Sequence, residues 1–112
     1  MINDNGRIIR AVPGGSTTVL ADGLPVVIGP LGDTLGAANV AFIGNTLYAA
    51  IAAGPKHGHP EMAGGIYRVA NGGVTLVADT DAFNIANPPA QDNHDEFTDE
   101  LSNPYDMIAV GG

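Results

Sequence analysis

The chain has 112 residues, the size of one small domain, and its 12 acidic and 4 basic residues give a net charge of −8 at pH 7. This balance argues against binding to nucleic acid or to an anionic membrane surface, because both would be repelled. The absence of cysteine excludes disulfide scaffolds and thiolate metal sites.

Short runs of β-branched and other apolar residues alternate with glycine-containing turns, which predicts strands joined by tight hairpins. The predicted strands are 7–12, 16–21, 39–43, 46–51, 65–70, 74–78 and 105–110. Residues 81–87 instead have the pattern of a short helix that ends at Pro88-Pro89. Residues 1–4 lack the features of a signal peptide. Glycines and asparagines in the uncharged run 35–55 argue against a membrane helix.

An internal repeat links two of the predicted hairpins. Residues 10–22 and 68–79 share an arginine, a Gly-Gly turn, a threonine and an Ala-Asp pair, at an offset of 58 residues that becomes 57. A second, weaker repeat relates residues 39–45 to 106–112 at an offset of 67. Repeated four-stranded units are typical of β-propellers, and insertions at 54–64 and 81–103 account for the longer period here. The alternative is a sandwich in which two hairpins have similar turns by chance.

Four segments resemble the ScyD/ScyE family, whose repeat proteins are related to NHL-type and lactonase-like propellers. They are GIYRV at 65–69, VTLVAD at 74–79, AFNIANP at 82–88 and SNPYD at 102–106. The most specific element is Asn103-Pro104-Tyr105 after a Phe-x-x-Ala-Asn helix. The resemblance implies a propeller fold and secreted full-length relatives, and it implies no particular activity.

The sequence therefore predicts an all-β fold of β-propeller blades, each a four-stranded antiparallel sheet, with about two blades per chain. Residues 1–22 are assigned to strands B, C and D of a shared blade, 39–79 to a complete blade, 80–103 to the helix and an acidic loop, and 104–112 to strand A of the next blade. Because the first and last strands complement each other, we expect the chain to close a ring with copies of itself. We expect a head-to-tail trimer, in which three copies give six blades; the alternative is a tetramer with eight.

The acidic loop is a candidate calcium site, because dense carboxylates suit a cation that takes roughly six to eight oxygen ligands. Its candidate ligands are Asp92, Asp95, Glu96, Asp99 and Glu100. The alternative is a solvated loop that keeps the protein soluble. His57 and His59 form a second candidate, since His-x-His near a carboxylate can bind Zn²⁺ or Cu²⁺. The alternative there is an ordinary polar loop.

Nucleophilic catalysis has little support, because neither Ser16 nor Ser102 lies in a Gly-x-Ser-x-Gly motif. A metal-dependent propeller hydrolase would need acids and asparagines near the inner strands, and Asn39, Asn103 and Asp106 are the candidates. The leading hypothesis is a non-enzymatic structural or ligand-binding module that assembles with copies of itself into a closed ring. The alternative is a calcium-dependent lactonase-like or esterase-like hydrolase with its site in the central channel.

Overall fold

The protein is mostly β in the computed structural model, which describes residues 6–28, 32, 34–52, 54, 58–88, 104 and 106–111. The strands are β1 (Gly6–Ala11), β2 (Thr17–Leu24), β3 (Val27–Ile28), β4 (Thr34–Leu35), β5 (Ala37–Ile43), β6 (Thr46–Ile51), β7 (Gly65–Ala70) and β8 (Gly73–Asp79), followed by helix α1 (Thr80–Ala86). β1 pairs with β2, β3 pairs with β4, and β5 to β8 form an antiparallel sheet in chain order. The prediction of an all-β protein is confirmed at this level.

Tight turns join the strands of the four-stranded sheet, which we call the central sheet. Ile43 pairs with Thr46 across a two-residue turn in which Gly44 has a φ of 58°. Asn71 and Gly72, with φ values of 55° and 78°, connect β7 to β8. Positive φ at both central residues is the signature of a type I′ turn, whose twist suits a hairpin.

One face of the central sheet packs against the hairpin of β1 and β2. Because side chains alternate along a strand, β6 and β7 direct one set of apolar residues to this face. The buried cluster comprises Ile8, Ala21 and Leu24 of the hairpin with Leu47, Ala49, Ile51, Tyr67 and Val69 of the sheet. Burial of these side chains supplies the main stabilisation that two stacked sheet layers can obtain.

The internal repeat has the same hydrogen-bond register in both of its copies. The pairs of β1 and β2 are Ile8 with Ala21, Ile9 with Val19 and Arg10 with Thr18, and those of β7 and β8 are Ile66 with Ala78, Tyr67 with Leu76 and Arg68 with Thr75. These pairs correspond at offsets of 58 on the first strand and 57 on the second. Both hairpins also carry a register shift at the same place, after Ile8 and after Ile66. The repeated sequence therefore produces a repeated structure, and the loss of one residue from the second turn explains the change of offset.

The structure departs from the sequence prediction at two places. The short hairpin of β3 and β4 was not predicted, because its strands have only two residues each and no periodic pattern. The second place is 106–110, the described part of the strand predicted at 105–110, which belongs to no strand within the single chain. A strand needs a hydrogen-bonded neighbour, and the neighbour expected here is residues 1–4 of another copy, so this strand stays a prediction. Residues 1–4, which form the end of strand B in the predicted shared blade, lie outside the described residues.

Helix α1 begins one residue earlier than the predicted 81–87. Asp79 caps it, and its Oδ1 accepts a hydrogen bond of 2.8 Å from the backbone N–H of Ala82. No helix in the described part of the chain is both long and apolar enough to span a membrane.

Candidate functional site

Two of the three predicted inner-strand polar residues are in contact. The Nδ2 group of Asn39, on β5, donates a hydrogen bond of 2.7 Å to Oδ1 of Asp106. The same Oδ1 atom accepts a second bond of 2.8 Å from the backbone N–H of Met107. Asp106 is exposed and Asn39 is half-buried. Asn103, the third candidate, lies outside the described residues.

The described residues after Asp106 follow β5 on one face of the central sheet. We call residues 106–111 the 106–111 segment. Its Met107, Ile108 and Ala109 line a cleft of about 260 Å³ together with Ala41 and Ile43 of β5 and with Tyr48, Ile66 and Val77. Gly44 and Gly111, which correspond in the weaker repeat, both have positive φ, at 58° and 70°. The backbone therefore supports the relation between β5 and this segment, although the segment is not a strand.

The opposite face of the central sheet is only partly covered by the β1–β2 hairpin. Beside the buried cluster is a larger, open cleft of about 1020 Å³. Val40 and Phe42 of β5 line it and are 48% and 61% exposed. Ile9 and Val19 of the hairpin line it as well and are also exposed. We call this space the open cleft.

Only one of the two histidine candidates, His59, lies within the described residues. His59 is buried in the connection between β6 and β7, and its Nδ1 lies 2.7 Å from Oε1 of Glu61. This hydrogen bond holds the pKa of the Glu61 carboxyl below its ordinary value. Among the residues described, no group of three or more His, Asp or Glu is arranged to hold a metal. His57 and all five candidate ligands of the acidic loop lie outside the described residues.

A polar connection that the sequence did not indicate links α1 to the start of β7. The buried carboxylate of Asp81 accepts a hydrogen bond of 2.6 Å at Oδ2 from the backbone N–H of Gly64. Thr80 donates through Oγ1 to the carbonyl oxygen of Gly64 at 2.9 Å. The Asp-Ala-Phe pattern gives no sign of this long-range bond, because Asp at a helix start is normally exposed. These two hydrogen bonds form a clamp that ties the start of α1 to Gly64.

Tyr67 lies next to this clamp and has a perturbed hydroxyl. Burial raises the pKa of the Tyr67 hydroxyl, and the negative charges of Asp79 and Asp81 raise it further. The hydroxyl donates a hydrogen bond of 2.7 Å to the carbonyl oxygen of Ala63. Tyr67 is therefore held as a neutral donor that orders the chain before β7.

An ion pair joins the two strands of the first hairpin at the surface. Nε of Arg7 donates to Oδ1 of Asp22 at 3.0 Å, and both side chains are about half exposed. The hydrogen bond from Arg7 lowers the pKa of the Asp22 carboxyl. A pair this exposed contributes little to stability, because water screens it.

The sequence matches no protein-family model, and no curated protein or solved structure is significantly similar to it. The class of protein must therefore be argued from the repeat, the exposed apolar residues and the polar contacts described above.

Proposed function

We propose that the chain is a non-enzymatic β-propeller module that assembles with copies of itself into a closed ring. The observation that carries this proposal is the repeated hairpin. The β1–β2 hairpin packs on a face of the central sheet, and that sheet contains β7–β8, the hairpin of the same register. Repeat units of this kind bury a core only against neighbouring units, so a uniform unit favours further stacking.

The exposed apolar residues indicate where further stacking is favourable. Val40, Phe42, Ile9 and Val19 are grouped around the open cleft instead of being scattered singly over the surface. Grouped apolar exposure of this kind marks an interaction surface. We propose a second copy as the partner, because a unit with the same repeat already packs against the central sheet within the chain.

The ring proposal also specifies the number of chains. In the ring, residues 105–110 of one chain and residues 1–4 of the next would extend the β1–β2 hairpin to a second four-stranded blade for each chain. Three copies then give six blades and four copies give eight, which lies within the usual range of about four to eight. A head-to-tail contact must close by rotation or continue into a fibre. We propose the trimer. The resemblance to ScyD/ScyE proteins is part of the same proposal and supports a propeller rather than a sandwich.

The direct test is the mass of the native protein by sedimentation equilibrium over a wide concentration range. We expect a single species of three chains of 11.3 kDa. A mass of four chains would support head-to-tail ring closure but would mean that the ring has four copies instead of three. A folded monomer at every concentration would contradict the proposal.

The second candidate function is a calcium-dependent lactonase-like or esterase-like hydrolase. The observation in its favour is the contact between Asn39 and Asp106, two of its three candidate residues. A bound metal ion would supply an activated water for hydrolysis. These two side chains offer far fewer than the roughly six to eight oxygen ligands of Ca²⁺, so we prefer the non-enzymatic function.

Hydrolysis of lactones and aryl esters, measured with and without a chelator, separates the two functions. For the module we expect no chelator-sensitive turnover. Turnover that is lost with chelator and in Asp106→Ala, but retained in Asp22→Ala, would favour the hydrolase. Asp22 is a suitable control because its exposed carboxylate lies on the first hairpin.

A further inference from the structure

We infer that the 106–111 segment of one chain docks in the open cleft of a second copy, with its Ile108 and Val110 against Val40 and Phe42 of that copy. This inference rests on the proposed self-assembly and names the two surfaces that meet.

The two faces of β5 lie against different parts of the molecule. Successive side chains of a strand point to opposite faces, so Ala41 and Ile43 lie on one face of the central sheet, and Val40 and Phe42 lie on the other. The first face is the one beside the 106–111 segment of the same chain. The second face borders the open cleft.

The 106–111 segment exposes two large apolar side chains. Ile108 and Val110 are 80% and 81% exposed, the highest values among the large apolar side chains described. In the weaker repeat they correspond to Ala41 and Ile43 of β5. Ile108 and Val110 therefore occupy the positions at which β5 carries Ala41 and Ile43, the side chains that lie beside the unit after β5.

The contact between Asn39 and Asp106 shows how β5 and the 106–111 segment are related. Within the chain, Asn39 contacts its repeat equivalent Asp106, so β5 and the segment are consecutive members of one series. The 106–111 segment of another chain could take the place that precedes β5 in this series. It would then lie on the face of the central sheet that borders the open cleft. Its Ile108 and Val110 would then face Val40 and Phe42, as Ala41 and Ile43 face the segment within the chain.

The charges near the open cleft allow this association. Each chain has a net charge of −8, so copies repel each other over most of their surfaces. Arg10, one of only four basic residues, lines the open cleft. Its positive charge favours the approach of an acidic chain at this place, and the contact is head-to-tail because two different surfaces meet.

Single-cysteine variants test the inference directly, because the chain contains no cysteine. Val40→Cys and Ile108→Cys chains are unfolded, mixed, refolded together and gently oxidised. We expect a disulfide between residue 40 of one chain and residue 108 of another, identified by mass spectrometry. The matched control is Ala41→Cys mixed with Ile108→Cys, which places the thiol at the next position of the same strand but on the other face. We expect it to give no such link between chains, because a disulfide tolerates only a narrow range of Cα separations.

A second variant removes the docking surface without introducing a thiol. We expect Ile108→Asp to weaken association at least about tenfold, because a charge would be placed in an apolar contact. Ile85→Asp is its control, since Ile85 is 63% exposed but lies on α1 away from the open cleft. Circular dichroism verifies that both variants fold.

The possible results separate this inference from the proposed function. If copies associate but the 40–108 link does not form, or if Ile108→Asp and Ile85→Asp associate equally, the docking inference is wrong and self-assembly stands. If the parent chain is monomeric, self-assembly itself is contradicted, and the docking inference is contradicted with it.

Discussion

Asn39 and Asp106 are related by the sequence repeat and also touch each other, with Nδ2 of the first 2.7 Å from Oδ1 of the second. Equivalent positions of a repeat usually lie one repeat apart, so direct contact requires consecutive units to approach closely at these residues. Such an approach is expected where inner strands meet around a common axis. This relationship supports both the ring proposal and the docking inference.

A double-mutant cycle on this pair measures the contact. We expect Asn39→Ala and Asp106→Ala to show a coupling free energy of about 0.5–1.5 kcal/mol, the usual net value of a protein hydrogen bond. The free energies of unfolding are obtained from urea titrations of the two single variants and the double variant. Additive effects of the two substitutions would mean that the bond does not form in solution.

Asp81 provides the second prediction. Asp81→Ala is expected to lower the free energy of unfolding by about 1–3 kcal/mol, because the buried N–H of Gly64 loses its acceptor. Asp81→Asn retains an oxygen at that position and is expected to cost less. Thermal unfolding of the three proteins checks the order. Equal losses in the two variants would show that the negative charge, and not the hydrogen bond, is what matters.

Tyr67 predicts a decline of stability in alkali. Its pKa in the folded protein lies above the ordinary 10.0, so the folded state holds the proton more tightly than the unfolded state. This contribution is complete below pH 10.0 and is lost as pH rises through the folded pKa. We expect Tyr67→Phe to reduce the fall of the free energy of unfolding with pH, measured by urea titrations on both sides of pH 10.0. An unchanged slope would assign the decline to other groups.

Gly72 and Gly73 form a matched pair for a backbone prediction. An added Cβ would meet nothing within 4 Å at either glycine, but only Gly72 has a left-handed φ, at 78°. We expect Gly72→Ala to destabilise the protein by about 1 kcal/mol relative to Gly73→Ala, since the cost comes from the backbone alone. Thermal or urea unfolding checks this difference. Equal stabilities would indicate a turn other than type I′.

The local signals of the sequence were sufficient for much of the sheet. Strands β6 and β7 have the predicted bounds because each is a β-prone run between clear turn residues. The repeat was also visible, and its shared register follows from repeated residues at repeated turns. The hairpin of β3 and β4 was missed because two-residue strands are held by pairing with each other and have no pattern of their own.

The candidate site was predictable only in part. Asn39 and Asp106 were singled out by their places near the predicted inner strands, but the sequence did not predict that the two side chains touch. The bond between Asp81 and Gly64 joins residues 17 positions apart, and no local pattern announces it. His59 is likewise buried and lies 2.7 Å from Oε1 of Glu61, and its burial depends on tertiary packing that the local sequence does not indicate.

The sequence by itself determined the β-rich composition, the turns, the repeat and the acidic charge, because each depends on neighbouring residues or on simple counts. Only the tertiary structure decided what each face of β5 lies against. Ala41 and Ile43 lie beside the 106–111 segment, whereas Val40 and Phe42 border the open cleft. All four are small or apolar residues in one alternating strand, so the sequence cannot tell which part of the chain each face meets. The distinction depends on where distant parts of the chain pack, since contacts between distant residues are a property of the folded arrangement and not of the strand.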